Sequence, residues 1–174
     1  AAVALARGNN EEAGAMALEA ASEAAGAGLP IEEGRTRLLA GRAHPRSALY
    51  PYGLVRDMLT RHLEIGEWDA AVLAERRWVD GLSPMFVKEG EAPIHLLGQL
   101  IGLDFSTSPH VEELLRNERQ FKAIAFDAGA LYLRRLGNNR PVVMVLDDLH
   151  WADDGSLEFI RFALLRNGDV PLLT

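Results

Sequence analysis

The sequence of 174 residues contains no cysteine. Disulfide bonds, a thiol nucleophile and cysteine-ligated zinc or iron–sulfur sites are therefore excluded for this chain. Lysine is scarce as well, since only Lys88 and Lys122 are lysines among the 18 basic residues. Neither of them follows a glycine. The chain thus has no G-x-x-x-x-G-K-[S/T] motif, in which backbone N–H groups and the lysine hold nucleotide phosphates.

Long apolar runs and an excess of basic residues are also missing. No run approaches the ~18 residues that span a bilayer, and 18 basic against 25 acidic residues give a net charge of −7. An acidic domain neutralises phosphates poorly, so we expect neither a nucleic-acid nor a membrane partner. The apolar stretch Ala1 to Ala6 has no basic region before it and is not predicted to be a signal peptide. We therefore expect a cytoplasmic protein.

Residues 1–43 are rich in alanine and have a helical pattern. A first helix is predicted over 11–27, and Pro30 suits the start of a second helix over 31–43. The two helices would form a hairpin, which we treat as one unit followed by a second unit over 44–174. A single hairpin cannot bury its own apolar face, so it needs neighbours.

The second unit is predicted to be mostly helical with a small β element. Apolar residues recur at helical spacing over most of it, and the predicted helices cover 54–63, 68–80, 93–103, 118–136 and 157–166. In the helix over 68–80, Val72 and Val79 are one heptad apart, and we expect Trp68 and Trp78 to pack on its flanks. The histidines at positions 44, 62, 95 and 110 are scattered and are predicted to be surface or turn residues.

The spacing of apolar residues changes at position 142, where the helical pattern ends. Val142 to Leu146 is a continuous apolar run, which indicates a strand buried on both faces of a parallel sheet. Asp147 and Asp148 follow it directly, which is the Walker B pattern. A buried strand brings such residues to the carboxyl edge of a sheet, where ligands bind in open α/β folds. There the first aspartate can hold Mg²⁺, and the second can orient or deprotonate a water molecule.

The string PVVMVLDDLHWADDGSLEFIRFALL resembles the Walker B segment of AAA-like signalling ATPases of the STAND group, found in LuxR-type regulators and adenylate or guanylate cyclase-like proteins. GRAHPRSALYPYGLVRDML and HLLGQLIGLDF resemble other segments of that domain. GLPIEEGRTRLLAGRA resembles a tetratricopeptide-type hairpin of the same regulators. The resemblance implies that Asp147 is the magnesium aspartate and Asp148 the catalytic acid. It also implies strands near 37–42 and 171–174, the first of which overlaps the helix predicted over 31–43.

The chain departs from this family because it has no phosphate-binding loop and no strand to carry one. The resemblance thus implies an incomplete P-loop-NTPase-like α/β fold, mostly α with a small parallel β element. Such a sheet either closes differently or is completed by dimerisation or strand swapping, and an exposed apolar strand edge favours association. We expect a homo-oligomer, a dimer in the simplest case. Nucleotide is not an expected cofactor and efficient ATP hydrolysis is not expected, since phosphate contacts carry much of that catalysis.

A second hypothesis starts from the acidic loop, by which we mean Asp147, Asp148, His150, Asp153 and Asp154. The four aspartates are candidate ligands of a divalent metal, Mg²⁺ or Mn²⁺. The histidine is a ligand that would also suit Zn²⁺. Asp148 and His150 would be the catalytic groups of a metal-dependent hydrolase of phosphodiesters or phosphotriesters.

The simpler interpretation has the last two aspartates cap the next helix and leaves the histidine exposed. A third hypothesis is a protein-interaction module that uses the hairpin and an exposed strand.

Overall fold

A computed structural model describes residues 37–45, 50–138, 142–167 and, for the backbone alone, 172–173. The helix predicted over 11–27 and the first part of the helix predicted over 31–43 lie outside the described residues. The hairpin and the division of the chain at residue 43 therefore stay predictions.

Among the described residues, three parallel strands form one sheet in the order β1–β2–β3. They are β1 (Arg37–Arg42), β2 (Val142–Asp147) and β3 (Leu172–Leu173). β1 and β2 pair over their whole length, from Arg37 opposite Val142 to Arg42 opposite Asp147. The strand expected after position 142 is thus confirmed, and it lies in the centre of the sheet.

The helix predicted over 31–43 is wrong for residues 37–42, which form β1 instead, and the strands that the resemblance implied near 37–42 and 171–174 are confirmed as β1 and β3. Burial alternates along this strand, with Leu39 and Gly41 buried and Leu38 and Ala40 exposed. Alternating burial has the two-residue period of a strand. Pairing with β2 satisfies the backbone N–H and C=O groups of the segment. Tertiary pairing has therefore overridden the helical propensity of Leu and Ala.

Six helices account for most of the other described residues. They are α1 (Gly53–His62), α2 (Ala71–Leu82), α3 (Ala92–Leu100), α4 (Pro109–Glu112), α5 (Glu118–Leu136) and α6 (Asp154–Arg166). Short 3₁₀ helices follow at Ser83–Met85, Leu114–Arg116 and Leu149–Trp151. The prediction of a mostly α fold with a small parallel β element is confirmed.

α2 exists as predicted but buries a different face. Ala74, Trp78 and Leu82 are its buried residues, and the indole Nε1 of Trp78 donates to the Ile94 carbonyl at 2.9 Å. The packing expected of Trp78 is thus confirmed, whereas that expected of Trp68 is wrong, since Trp68 is 93% exposed; Val72 is 78% exposed. The large indole, which has a hydrogen-bond partner on α3, determines which face of α2 points inward.

Close contacts at two glycines show how tightly the helices pack. A Cβ at Gly41 of β1 would lie 2.8 Å from Met58 Cβ of α1. A Cβ at Gly129 of α5 would lie 2.3 Å from Phe159 of α6. α1 also contacts α6, and the Arg42 N–H at the end of β1 donates to Asp57 Oδ2 of α1 at 2.8 Å.

None of the helices within the described ranges combines the length and the apolar character needed to cross a membrane.

Candidate functional site

The ends of β1 and β2 meet at one edge of the sheet because the strands are parallel. Arg42 and Asp147 are the last residues of these strands and are register partners. The Ala43 N–H donates to the Asp147 carbonyl at 3.1 Å, which extends the ladder by one bond. Arg42 Nε lies 2.8 Å from Asp148 Oδ2 and 3.5 Å from Asp147 Oδ2. The two aspartates of the Walker B pattern thus share one guanidinium.

This ion pair is open to solvent on one side. The side chains are 42% exposed for Arg42, 29% for Asp148 and 12% for Asp147. The hydrogen bond from Arg42 to Asp148, and then the charge of Asp148, raise the pKa of the Arg42 guanidinium. Because water screens an ion pair of this exposure, the pair contributes little to the stability of the fold.

The backbone at Asp148 orients the first carboxylate. Asp148 has φ 54° and ψ 37°, in the left-handed region, where aspartate is one of the few tolerated non-glycine residues. In this conformation its N–H donates to Asp147 Oδ1 at 2.8 Å. One oxygen of Asp147 is therefore held by its neighbour's backbone, and the other points toward Arg42.

Asp153 joins α6 to the start of α1. Its Oδ1 accepts from the N–H groups of Ser156 and Tyr52, both at 2.8 Å. Its Oδ2 accepts from the Gly53 N–H at 2.9 Å and from Ser156 Oγ at 2.6 Å. Asp153 is thus the N-cap of α6 and an acceptor for α1, and these four bonds occupy the oxygens that a metal would need. The contacts favour the capping interpretation for this residue.

The remaining two members of the acidic loop are exposed. Asp154 lies in the first turn of α6, and the His150 ring contacts the Trp151 ring at 5.0 Å between centroids. Within the described ranges, no three members of the acidic loop bring ligand atoms together as a metal site requires. Asp147 and Asp148 are adjacent at the strand end, whereas the roles predicted for His150, Asp153 and Asp154 stay predictions.

The sequence model of a family described as AAA ATPase domain matches residues 15–174. The chain belongs to the AAA ATPase domain family. No curated protein and no solved structure matches it. The resemblance to AAA-type ATPases is thereby confirmed, while the assignment to the STAND group, to LuxR-type regulators or to cyclase-like proteins stays a prediction.

AAA ATPase domains in general use nucleotide and magnesium, and this AAA domain fits the two differently. The strand ends supply two adjacent carboxylates, the oxygen ligands that Mg²⁺ prefers. For the phosphates of a nucleotide, the chain offers no glycine-rich loop with its lysine. The residues present thus suit the metal better than the nucleotide.

A second group of potential ligands in this AAA domain was missed from the sequence. Ligand atoms of Glu91, His95 and His110 all lie within 4.8 Å of one another. His95 and His110 were predicted to be scattered surface or turn residues, because 15 positions separate them and no metal motif has that spacing. The spacing of four between Glu91 and His95 was the available signal, since it places both on one face of a helix.

Proposed function

We propose that this AAA domain binds a divalent cation at Asp147 and Asp148 and that, as this chain, it does not hydrolyse ATP efficiently. The observation that carries the proposal is the geometry of the strand ends. Two carboxylates lie side by side at the carboxyl end of the central strand, and Arg42 Nε contacts both of them. Such an arrangement binds one positive charge already and can exchange it for another.

The two aspartates contribute differently to the proposed site. Asp147 is 12% exposed and has one oxygen held by the Asp148 N–H, so it is the fixed ligand. Asp148 is more exposed and pairs with Arg42, so its carboxylate is the one that changes partner. A bound Mg²⁺ would supply positive charge to neutralise phosphate oxygens. Asp148 would then orient water beside it.

Slow hydrolysis follows from what the chain lacks. The backbone N–H groups and the lysine of a phosphate loop position the phosphates and carry much of the rate of ATP hydrolysis. The chain has neither the motif nor a lysine after a glycine. A cation site without a phosphate cradle supports binding and signalling better than turnover.

Titration with Mn²⁺, followed by the loss of its free EPR signal, tests the cation site. We expect wild type to bind Mn²⁺ weakly and Arg42→Gln to bind it several-fold more tightly, because the competing guanidinium is gone. Asp147→Asn and Asp148→Asn should each abolish binding. Asp154→Asn, an exposed aspartate of the same loop, is the matched control and should bind like wild type. Equal affinity of wild type and Asp147→Asn would contradict the proposal.

Turnover assays on the same proteins test the second part of the proposal, that the chain does not hydrolyse ATP efficiently. The rate of ATP hydrolysis by wild type with Mg²⁺ should not exceed the rate of Asp148→Asn. Efficient hydrolysis by wild type that is lost in Asp148→Asn would overturn the proposal. Phosphodiester and phosphotriester substrates, with and without EDTA, test the hydrolase hypothesis. Chelator-sensitive turnover that Asp147→Ala or Asp148→Ala removes would support that hypothesis instead.

A further inference from the structure

The second ligand group lies at the junction of α3, α4 and the loop between them. Glu91 is the residue before α3, His95 lies one turn into that helix, and His110 is the second residue of α4. The loop folds α4 back so that ligand atoms of the three residues lie within 4.8 Å of one another. Glu91 and His110 are exposed, and His95 is half-buried. The group is therefore accessible to an ion from solvent.

Two buried neighbours hold the central histidine. His95 Nδ1 lies 2.8 Å from Ser108 Oγ, and Ser108 also caps α4 by accepting from the His110 N–H at 3.2 Å. The Phe105 ring stacks on the His95 ring, with 4.6 Å between centroids and 15° between planes. The Ser108 hydroxyl can thus hold one ring nitrogen of His95 while the other ring nitrogen binds an ion. Metal-binding histidines commonly have such a partner on the other ring nitrogen.

The chemistry of the group favours zinc. One carboxylate and two imidazoles form the ligand set of several catalytic zinc sites, where a water molecule takes the fourth position. Imidazole nitrogens select Zn²⁺ over Mg²⁺ or Ca²⁺, which prefer oxygen. Tetrahedral zinc ligands lie about 3.3 Å apart, so the side chains must close a gap of at most about 1.5 Å. Rotation of the exposed Glu91 and His110 side chains can provide this movement.

We propose that Glu91, His95 and His110 form a Zn²⁺ site with one open coordination position. The site is built on different elements from the strand ends and takes a different class of metal, so it goes beyond the proposed function. Zn²⁺ bound there would link the start of α3 to the start of α4. The bound ion would therefore stabilise the loop between them.

Calorimetric titration of the untagged full chain with ZnCl₂ tests the site. We expect one Zn²⁺ per chain, a rise in Tm with Zn²⁺, and a visible absorption spectrum typical of four-coordinate Co²⁺ when CoCl₂ is used. His110→Ala and Glu91→Gln change exposed residues and should each weaken Zn²⁺ binding at least tenfold. Glu113→Gln, an exposed glutamate just after α4, is the matched control and should bind like wild type.

Two kinds of result would overturn the proposed Zn²⁺ site. Absence of Zn²⁺ binding by wild type, or unchanged affinity in either His110→Ala or Glu91→Gln, would overturn the proposal. Loss of Zn²⁺ binding in His150→Ala or Asp148→Asn would place the ion in the acidic loop and would overturn it as well. The Mn²⁺ titration at Asp147 and Asp148 is a separate measurement, so either site can fail without the other.

Discussion

Asp153 is the residue on which the starts of α1 and α6 both depend. It accepts two hydrogen bonds from Ser156 and one each from the backbone N–H groups of Tyr52 and Gly53. An N-cap residue is worth about 1 kcal/mol, and two more backbone donors would lose their acceptor. We expect Asp153→Ala to lower the free energy of unfolding by about 2–3 kcal/mol in urea denaturation.

The control for this variant is Asp154→Ala, which removes the neighbouring exposed carboxylate. Its loss should stay below about 1 kcal/mol, because only a favourable interaction with the helix dipole disappears. The difference between the two variants should be the same with Mg²⁺ and with EDTA. A difference that vanished in EDTA would instead show that Asp153 acts through a bound metal.

At the same scale, the sequence predicted where Asp147 and Asp148 lie and missed the grouping of Glu91, His95 and His110. Asp147 and Asp148 follow an apolar run, so their place at the end of a buried strand could be predicted from local pattern. Arg42 could not be assigned to them, because its partner lies 106 positions away and the register of β1 against β2 decides the contact. His95 and His110 likewise meet only because the loop between α3 and α4 turns back.

At the scale of elements, long periodic segments were predictable, whereas their buried faces were predictable only in part. The bounds of α5 agree with the prediction over 118–136, and of the two tryptophans expected to pack against the predicted helix over 68–80, Trp78 is buried and Trp68 is exposed. Periodicity fixes that a helix exists, whereas the neighbouring helices select the face that is buried. The strand character of 37–42 depends on a partner strand and was therefore invisible to local propensity.

The contact between α5 and α6 is close enough to exclude a methyl group. A Cβ at Gly129 would lie 2.3 Å from Phe159 Cζ, and the Phe159 ring is itself held edge-on against Phe126 at 5.2 Å. We expect Gly129→Ala to cost about 1–2 kcal/mol, the strain of overpacking less the better helix propensity of alanine. Thermal unfolding monitored by circular dichroism measures this loss.

Gly66→Ala is the matched control, since its Cβ would meet Asp69 at an ordinary contact distance of 3.5 Å. It should change Tm little in either direction. A Gly129→Ala variant as stable as wild type would mean that α6 can move away from α5, and that the packing of these helices is looser than the structure has it.

At the scale of the whole molecule, we predict that the chain associates with a second copy of itself. β1 pairs with β2 on one side, and Leu38 of β1 is 47% exposed. Within the described part of the sheet β1 is an outer strand, and an apolar edge of this kind favours the expected homo-oligomer. Sedimentation equilibrium of the full chain distinguishes a dimer from a monomer.

The stability of the whole fold should depend on pH through His62, the last residue of α1. Burial, and then the charge of Arg37 on β1, lower the pKa of this imidazole, and a backbone hydrogen bond with Leu38 opposes them only in part. Among the residues that the structure describes, Tyr132 of α5 also lies beside it, with 6.4 Å between the ring centroids. The folded state therefore holds His62 neutral at a pH where the unfolded chain already takes up a proton.

A folded pKa below the unfolded value of about 6.5 makes the unfolded state bind more protons as the pH falls. We therefore expect the free energy of unfolding to be highest above pH 6.5 and to decrease as the pH falls through the lowered pKa of His62. His62→Gln should reduce this slope between pH 7.5 and pH 5.5 in urea denaturation. His150→Gln removes an exposed imidazole and should keep the slope of wild type. Equal slopes for wild type and His62→Gln would show that this half-buried imidazole contributes nothing to the acid sensitivity of the fold.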